Sequence, residues 1–348
     1  MKKILFFNPA IQDEKMFNPD VRDGYNDPYI YLRQRLLSLG YQLTSFQGEN
    51  ISDFAWICFN DSISTSYYLG FKGLIRKGKL LLLGKQPRDI FNECLKEGLN
   101  KRMGLFLWEP PTVMPDNWKK ALSNKFEVVF TWNDRLIDHK KFFKIHWPQT
   151  NKFPTVANVP FEEKKLLVNI TGNKDSRHPR ELYTARRKSI RYFEKHFPND
   201  FDLYGVGWNR PANRWQKLFP FLVPHYASYR GTVANKWDVY PKYKFGLCYE
   251  NIQGEPGYVT EKIFDCMRAD CVPIYWGADN VTDYVDSGAF IDRRKFKSDQ
   301  ELASFLTTVT KDEYASYQKA ITAYLHGDKF KQFLPEAYTE TIIKGLKL

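Results

Sequence analysis

Three short stretches of this 348-residue chain bring together residue types that could act on a phosphorylated substrate. The first runs from Tyr243 to Gly277. Tyr-Lys-Phe-Gly-Leu-Cys-Tyr-Glu250-Asn251 leads into a glycine-containing turn, Gln253 to Gly257, and Tyr258-Val259-Thr260-Glu261-Lys262 then opens a helix with Thr260 as a fitting N-cap. A helix start presents unpaired amide groups that favour an anion. Lys262 falls in the first turn, where the dipole by itself prefers an acid, and a lysine set against the dipole points to a bound phosphate. The second stretch, Glu181 to Phe197, reads as an amphipathic helix carrying Arg186, Arg187, Arg191 and Lys195. Such a helix can direct a forked guanidinium at phosphate oxygens, while Arg191 and Lys195 suit a basic solvent face. In the third stretch, Leu105-Phe-Leu-Trp108-Glu109-Pro110-Pro111, an apolar strand runs into a carboxylate and two prolines that stop it and fix the exit of the chain. Burial beside Trp108 would partly desolvate Glu109, raise its proton affinity and suit it to general-base work.

The elements that must position these residues alternate along the whole chain. Lys3 to Phe7, Phe54 to Phe59, Lys79 to Leu83, Met103 to Leu107 and Glu127 to Phe130 read as buried strands, with helices at Tyr29 to Leu39 and Trp118 to Asn124. Continuous apolar strands interleaved with helices predict parallel sheets covered on both faces. The pattern loosens near 147–165, a stretch rich in proline and charge, which sets a domain boundary. Strands at Lys165 to Ile170, Phe201 to Tyr204, Lys244 to Tyr249 and Val272 to Tyr275 follow, with helices at Arg180 to His196, Thr260 to Ala269 and Gln300 to Thr308. The chemistry-bearing residues thus lie in loops after strands, where open parallel sheets bind their ligands. The expected domains are 1–155, 156–310 and a helical tail, 311–348, that packs back on the first.

Composition narrows the field. With 43% hydrophobic and 16% aromatic residues the chain can build large cores, which excludes disorder. Lys and Arg number 52 against 40 Asp and Glu, a net charge of +12 that suits an acidic partner: nucleic acid, an anionic membrane surface or a phosphorylated small molecule. The five cysteines form no Cys-x-x-Cys and have no histidine at zinc-ligand spacing, which fits a reducing cytosol. No apolar run is long enough to cross a bilayer, so any membrane association would be peripheral. Asp200-Phe201-Asp202 is formally an Asp-x-Asp, but it lies at the amino end of a strand, where turn and edge roles are favoured over metal binding.

Strand, Glu250-Asn251, glycine turn, Tyr258-Val259-Thr260-Glu261-Lys262 and then Val272-Pro-Ile-Tyr-Trp-Gly277 make one continuous signature. It resembles the donor-site motif of the alpha-1,3/4-fucosyltransferases. The resemblance is strong over residues 226–285, recognisable over 102–210 and faint elsewhere. It implies an α/β protein of the GT-B type, two Rossmann-like doubly wound domains facing a central cleft, and an inverting glycosyltransferase that uses GDP-fucose. It further implies that Lys262 contacts the diphosphate, that Glu261 accepts hydrogen bonds from sugar or ribose hydroxyls, and that Tyr258, Glu250 and Asn251 line the nucleotide pocket with Val259 and Thr260 in the same motif. The family's phosphate-binding arginine maps best onto Arg187, with Arg186 one residue away, and its base onto Glu109.

The resulting expectation is transfer of L-fucose to an acceptor oligosaccharide or glycolipid, alpha-1,3 or 1,4 on N-acetylglucosamine of a lactosamine-type glycan. Arg187 and Lys262 compensate the charge of the leaving diphosphate, so no obligatory metal or other cofactor is expected. The animal members' anchor, stem and luminal disulfides have no counterpart in the chain, which points to the bacterial branch and a cytoplasmic enzyme, peripheral to the inner membrane if associated with it. The alternatives are a GT-B enzyme with another nucleotide sugar and a basic nucleic-acid-binding protein. The second is disfavoured because the positive charge is spread along the chain without a recognisable nucleic-acid motif.

Overall fold

The computed structural model describes residues 1–8, 13–45, 48–61, 88–211 and 214–348. They form two compact units, each built on one parallel sheet. The first comprises Met1–Val21, Tyr25–Pro148 and Leu334–Leu348, and the second Arg22–Gly24 and Gln149–Phe333. Of the tail 311–348, only Leu334–Leu348 joins the first unit, whereas the helix Lys311–Leu325 belongs to the second.

The first sheet contains β1 (Lys2–Phe7), β2 (Tyr41–Thr44), β3 (Phe54–Asn60), β4 (Met103–Leu107), β5 (Val128–Thr131) and β6 (Phe142–Lys144), in the order β2-β1-β3-β4-β5-β6. Alternation of side chains across a strand, with both faces covered, explains why the buried stretches of β1, β3, β4 and β5 are largely apolar on both sides. Ile4, Phe6, Cys58, Phe106 and Phe130 face one core, which is closed by Tyr29, Leu32 and Leu36 of the helix Asp27–Ser38 and by Tyr338, Ile342 and Leu346 of the C-terminal helix Pro335–Leu346. Leu5, Phe7, Ile57, Phe59, Leu105 and Val129 face the other core, beneath Ile90, Phe91 and Cys94. Sequence periodicity misses β2 and β6, which are short edge strands of four and three residues. The strand expected at Lys79 to Leu83 lies outside the described residues.

The second sheet orders β7 (Lys165–Ile170), β8 (Phe201–Tyr204), β9 (Tyr243–Tyr249), β10 (Val272–Trp276) and β11 (Ile291–Asp292) as β11-β10-β9-β7-β8. The helix Glu261–Arg268 buries Ile263, Phe264, Cys266 and Met267. Its approach to the sheet depends on Gly246 in β9, where a Cβ would sit 2.7 Å from Cys266 Sγ and 3.1 Å from the Tyr240 ring. At the foot of β7, the buried Lys164 ammonium donates to the Asp270 carboxylate at 2.7 Å and to the Pro241 carbonyl at 2.8 Å, satisfying a charge that would otherwise be costly inside. Asp202 of β8 is committed to Lys165, Arg230 and Tyr243, a set of contacts that holds the sheet edge.

Because both neighbours of Gly246 are themselves packed, Gly246→Ala should overpack the layer between helix and sheet and cost about 1–3 kcal/mol. Urea unfolding should show the lowered midpoint; a midpoint equal to wild type would mean that the helix can move away at no cost.

Candidate functional site

The winding of the second sheet reverses between β7 and β9. In open parallel sheets such a reversal parts the loops at the carboxyl ends of the strands and leaves room for a ligand. Here the loops after β7 and β9 are also stitched together, with the Leu182 amide donating to the Asn251 carbonyl at 3.3 Å and the Gln253 amide to that of Arg180 at 3.0 Å. Arg180 forms an ion pair with the buried Glu255. Residues far apart in the chain are thereby brought to one place.

Glu250, the first residue beyond β9, is fully buried. Its carboxylate accepts hydrogen bonds from the Thr260 amide at 2.9 Å, from the Thr260 hydroxyl at 2.8 and 2.9 Å, and from Lys262 Nζ at 3.0 Å. Lys262 Nζ also donates to Thr260 Oγ1 at 2.8 Å and approaches Glu261 Oε1 at 3.5 Å. Thr260 stands at the N-cap position, yet its hydroxyl is spent on Glu250 and caps no first-turn amide, contrary to the capping role expected of it. The start of the helix therefore carries no side-chain cap.

Burial raises the Glu250 pKa, and the neighbouring Lys262 charge only partly offsets this. Burial works against the Lys262 ammonium as well, but Glu250 and Glu261 outweigh it and the pKa ends above the ordinary lysine value. Glu261 is the mirror case: burial opposes its charge, yet Lys262 and Lys236 lower its pKa to about 2. It is ionised at neutral pH. Its Oε2 atom is enclosed and has no hydrogen-bond partner, a costly state that a hydroxyl donor from a ligand would relieve.

Tyr258 and Val259 lie inside with Thr260 and Glu250, so these residues build the wall that holds Lys262 and Glu261. Asn251 is buried and ties the loops through its carbonyl. Arg186 is buried too, donating to the carbonyls of Tyr249 and Glu250, and burial lowers its pKa. Arg187, one residue on, stays partly exposed against the Lys174 carbonyl at 2.8 Å and Asp175 at 3.2 Å, in the loop after β7. Two further residues, the first of them missed by the sequence reading, complete the arrangement. Lys236 pairs with buried Asp265 at 2.5 Å and is one of the two lysines that lower the Glu261 pKa. Gly277 leaves the space occupied by Glu250, since a Cβ there would meet Glu250 Cγ at 2.5 Å and the Tyr275 hydroxyl. Lys236 carries no sequence signal, being a lone loop lysine. Gly277 ends the motif and was legible as part of it.

Glu109 belongs to the first unit, just past β4. Its carbonyl accepts from Trp118 Nε1 at 2.9 Å, while Trp108 donates through Nε1 to Asn60 at 2.6 Å. Its Oε2 atom is enclosed without a partner. The residue that sequence reading overlooked is Asp61, just past β3, with φ +62°. Its carboxylate accepts from the Glu109 amide at 2.9 Å, the Trp108 amide at 3.4 Å and the Asn117 side chain at 3.1 Å. Burial pushes its pKa up to about 7, with the Glu109 charge acting in the same direction and these hydrogen bonds opposing. A lone aspartate after an apolar strand reads as a turn residue, which is why it gave no signal. Among the described residues no group of three or more His, Cys, Asp or Glu is arranged to hold a metal ion, and no helix is long and apolar enough to cross a membrane.

Residues 163–331 match the model for glycosyltransferase family 10 (fucosyltransferase), C-terminal part. An alpha-(1,3)-fucosyltransferase of Helicobacter pylori is 40% identical over 74 residues, which is 21% of this chain and 15% of the relative. An alpha-(1,4)-fucosyltransferase of Arabidopsis thaliana is 47% identical over 73 residues, 21% of this chain and 18% of the relative. The matched stretches thus span under a fifth of either relative. A crystal structure of an alpha1,3-fucosyltransferase with GDP superposes with a TM-score of 0.56 at 14% identity, covering all of this chain and 90% of the other. At that identity the likeness is one of fold, and the fold is GT-B.

The Asp61 environment has a consequence for stability. A carboxyl whose pKa is near 4 when unfolded and about 7 when folded binds more protons in the folded state between those values. Its contribution is therefore fully present below about pH 4 and is lost as pH rises towards 7. Urea unfolding across that range should show this decline in wild type and a flatter profile in Asp61→Asn; parallel profiles would refute the assignment.

Proposed function

We propose that this chain, whose residues 163–331 are a domain of glycosyltransferase family 10, transfers L-fucose from GDP-fucose to a hydroxyl of an acceptor oligosaccharide. The observation that carries the donor reading is the pairing of an ionised glutamate with an unsatisfied buried oxygen, Glu261, and a permanently charged Lys262 at a helix start without a side-chain cap. A carboxylate of that kind accepts from sugar or ribose hydroxyls, while an ammonium and free amides neutralise phosphate. The donors of the similar structures support the same class, since GDP and GDP-fucose are bound in structures of alpha1,3-fucosyltransferases sharing the fold.

In this reading Lys262, the helix start and Arg187 stabilise the charge that develops on the departing diphosphate. Arg186 serves from behind, bracing the end of β9 through the Tyr249 and Glu250 carbonyls. Glu109 takes the proton of the acceptor hydroxyl as that oxygen attacks the anomeric carbon from the face opposite GDP. The new bond forms as the old one breaks, configuration inverts, and no covalent enzyme intermediate arises. Charge compensation by side chains means that a divalent cation is not required. The acceptor we assign is N-acetylglucosamine in a lactosamine-type unit, joined through an alpha-1,3 or 1,4 linkage.

Calorimetric titration with GDP, UDP and CMP in the absence of added metal tests the donor class, with GDP expected to bind in preference to the other two. Equal binding of all three would reassign the enzyme to another nucleotide sugar. Kinetics then separate the roles. Glu109→Gln should lower kcat by roughly 10²–10⁴ with little change in GDP affinity. Lys262→Ala should lower kcat/KM by about 10²–10³ and weaken GDP binding, and near-wild-type values for either variant would remove that residue from its role.

A further inference from the structure

The residues from Trp215 to Leu222 form a short helix, Arg214–Leu218, followed by a turn, Pro220–Leu222. Trp215 is 67% exposed, Leu218 64% and Phe221 81%, with Phe219 and Leu222 also in solvent. The Trp215 and Phe219 rings lie nearly parallel, 7° apart with centroids at 6.4 Å, and Phe221 lies 5.8 Å from Phe219. Five large apolar side chains within eight residues are thus exposed together at one tip, three of them in ring contact. The segments flanking it are firmly held: Trp208 is buried, donates to the Thr171 carbonyl at 2.6 Å and packs edge-on against Tyr226, and the Arg191 guanidinium lies over the Tyr226 ring at 3.6 Å. Firmly held flanks with an exposed apolar tip are the reverse of what a water-facing loop needs, since scattered apolar residues are ordinary but contiguous ones mark an interaction surface.

Charge selects the occupant. Residues 203–237 contain no aspartate or glutamate, yet they include Arg210, Arg214, Lys217, Arg230 and Lys236. Arg230 and Lys236 are engaged by Asp202 and Asp265, whereas Lys217, within the tip, and Arg210, just before it in the chain, are exposed. Tryptophan, phenylalanine and leucine surrounded by cations and free of acids is the composition of an interfacial anchor, in which aromatic rings enter the headgroup boundary and cations meet anionic lipid. We propose that the tip Trp215–Leu222 docks this protein reversibly on an anionic lipid bilayer. The inference rests on exposure, packing and charge, and does not depend on the identity of the donor nucleotide.

Co-sedimentation with vesicles of phosphatidylcholine alone and of phosphatidylcholine mixed with phosphatidylglycerol tests it on the full chain. Wild type should bind the anionic vesicles at least about tenfold more tightly than the neutral ones. The W215S/F221S variant should lose roughly tenfold or more of that binding while its GDP titration stays equal to wild type, which also verifies that it folds. R210E/K217E should lose affinity for the anionic vesicles alone. Wild type failing to bind either vesicle, or W215S/F221S binding as wild type does, would overturn the proposal. So would a tip variant that abolishes a concentration-dependent dimer, or raises KM for a soluble acceptor, without altering vesicle binding, because the tip would then be a contact for a second copy or for a glycan.

Discussion

Burying Glu250 is the constraint from which the architecture of the second unit follows. A carboxylate with no access to water must be paired and hydrogen-bonded, because an uncompensated charge there would cost several kcal/mol. Three demands result. Lys262 must come within hydrogen-bonding distance, which fixes the first turn of the helix Glu261–Arg268. The Thr260 hydroxyl must turn inward, which gives up the helix cap. Position 277 must be glycine, since any side chain would enter the space of Glu250. What looks like a binding motif along the chain is, in space, largely one solution to one electrostatic problem. What remains is small and specific: an ammonium held in place, a helix start without a side-chain cap, and one carboxylate oxygen left without a donor.

The same logic explains why the two neighbouring arginines differ. Helical periodicity turns Arg186 towards the sheet and Arg187 towards the loop after β7. The first spends its guanidinium on strand-end carbonyls and steadies the backbone that carries Glu250. The second keeps part of its fork in solvent. Adjacent residues of one type thus have different surroundings, and an Arg to Lys change would be felt differently at each, because Arg186 is buried with one terminal nitrogen donating to both carbonyls, whereas Arg187 is partly exposed.

Sequence made the alternation of strands and helices legible wherever strands were buried on both faces, because such strands read as continuous apolar runs: β1, β3, β4, β5 and β7 to β10 were all anticipated within about a residue or two. It failed at β2, β6 and β11, edge strands of two to four residues whose pairing, not composition, makes them strands. At the site, the contiguous Glu250 to Lys262 stretch was visible because turn, cap position and first turn follow in order. Lys236 and Asp61 were invisible for one reason: each acts through a neighbour supplied by a different element, and nothing local marks it. The N-cap reading of Thr260 holds for its position but not for its hydroxyl, since the buried Glu250 carboxylate at the end of the preceding strand competes for that hydroxyl more strongly than an amide does.

Asp61 and Glu109 show how topology alone can create chemistry. They end β3 and β4, adjacent parallel strands of one sheet, so their backbones are necessarily close although 48 residues separate them. Asp61 adopts a left-handed conformation, which most residues avoid and aspartate tolerates better than most, and its carboxylate thereby reaches the Trp108 and Glu109 amides. Two prolines after Glu109 remove the freedom of the chain in the other direction. The Glu109 backbone is thus clamped from both sides while one of its own carboxylate oxygens remains without a partner. Such a group is positioned without being satisfied, which is the condition the proposed general base would have to meet: hydrogen bonds to the backbone fix where it stands, and one carboxylate oxygen keeps a lone pair free of any donor.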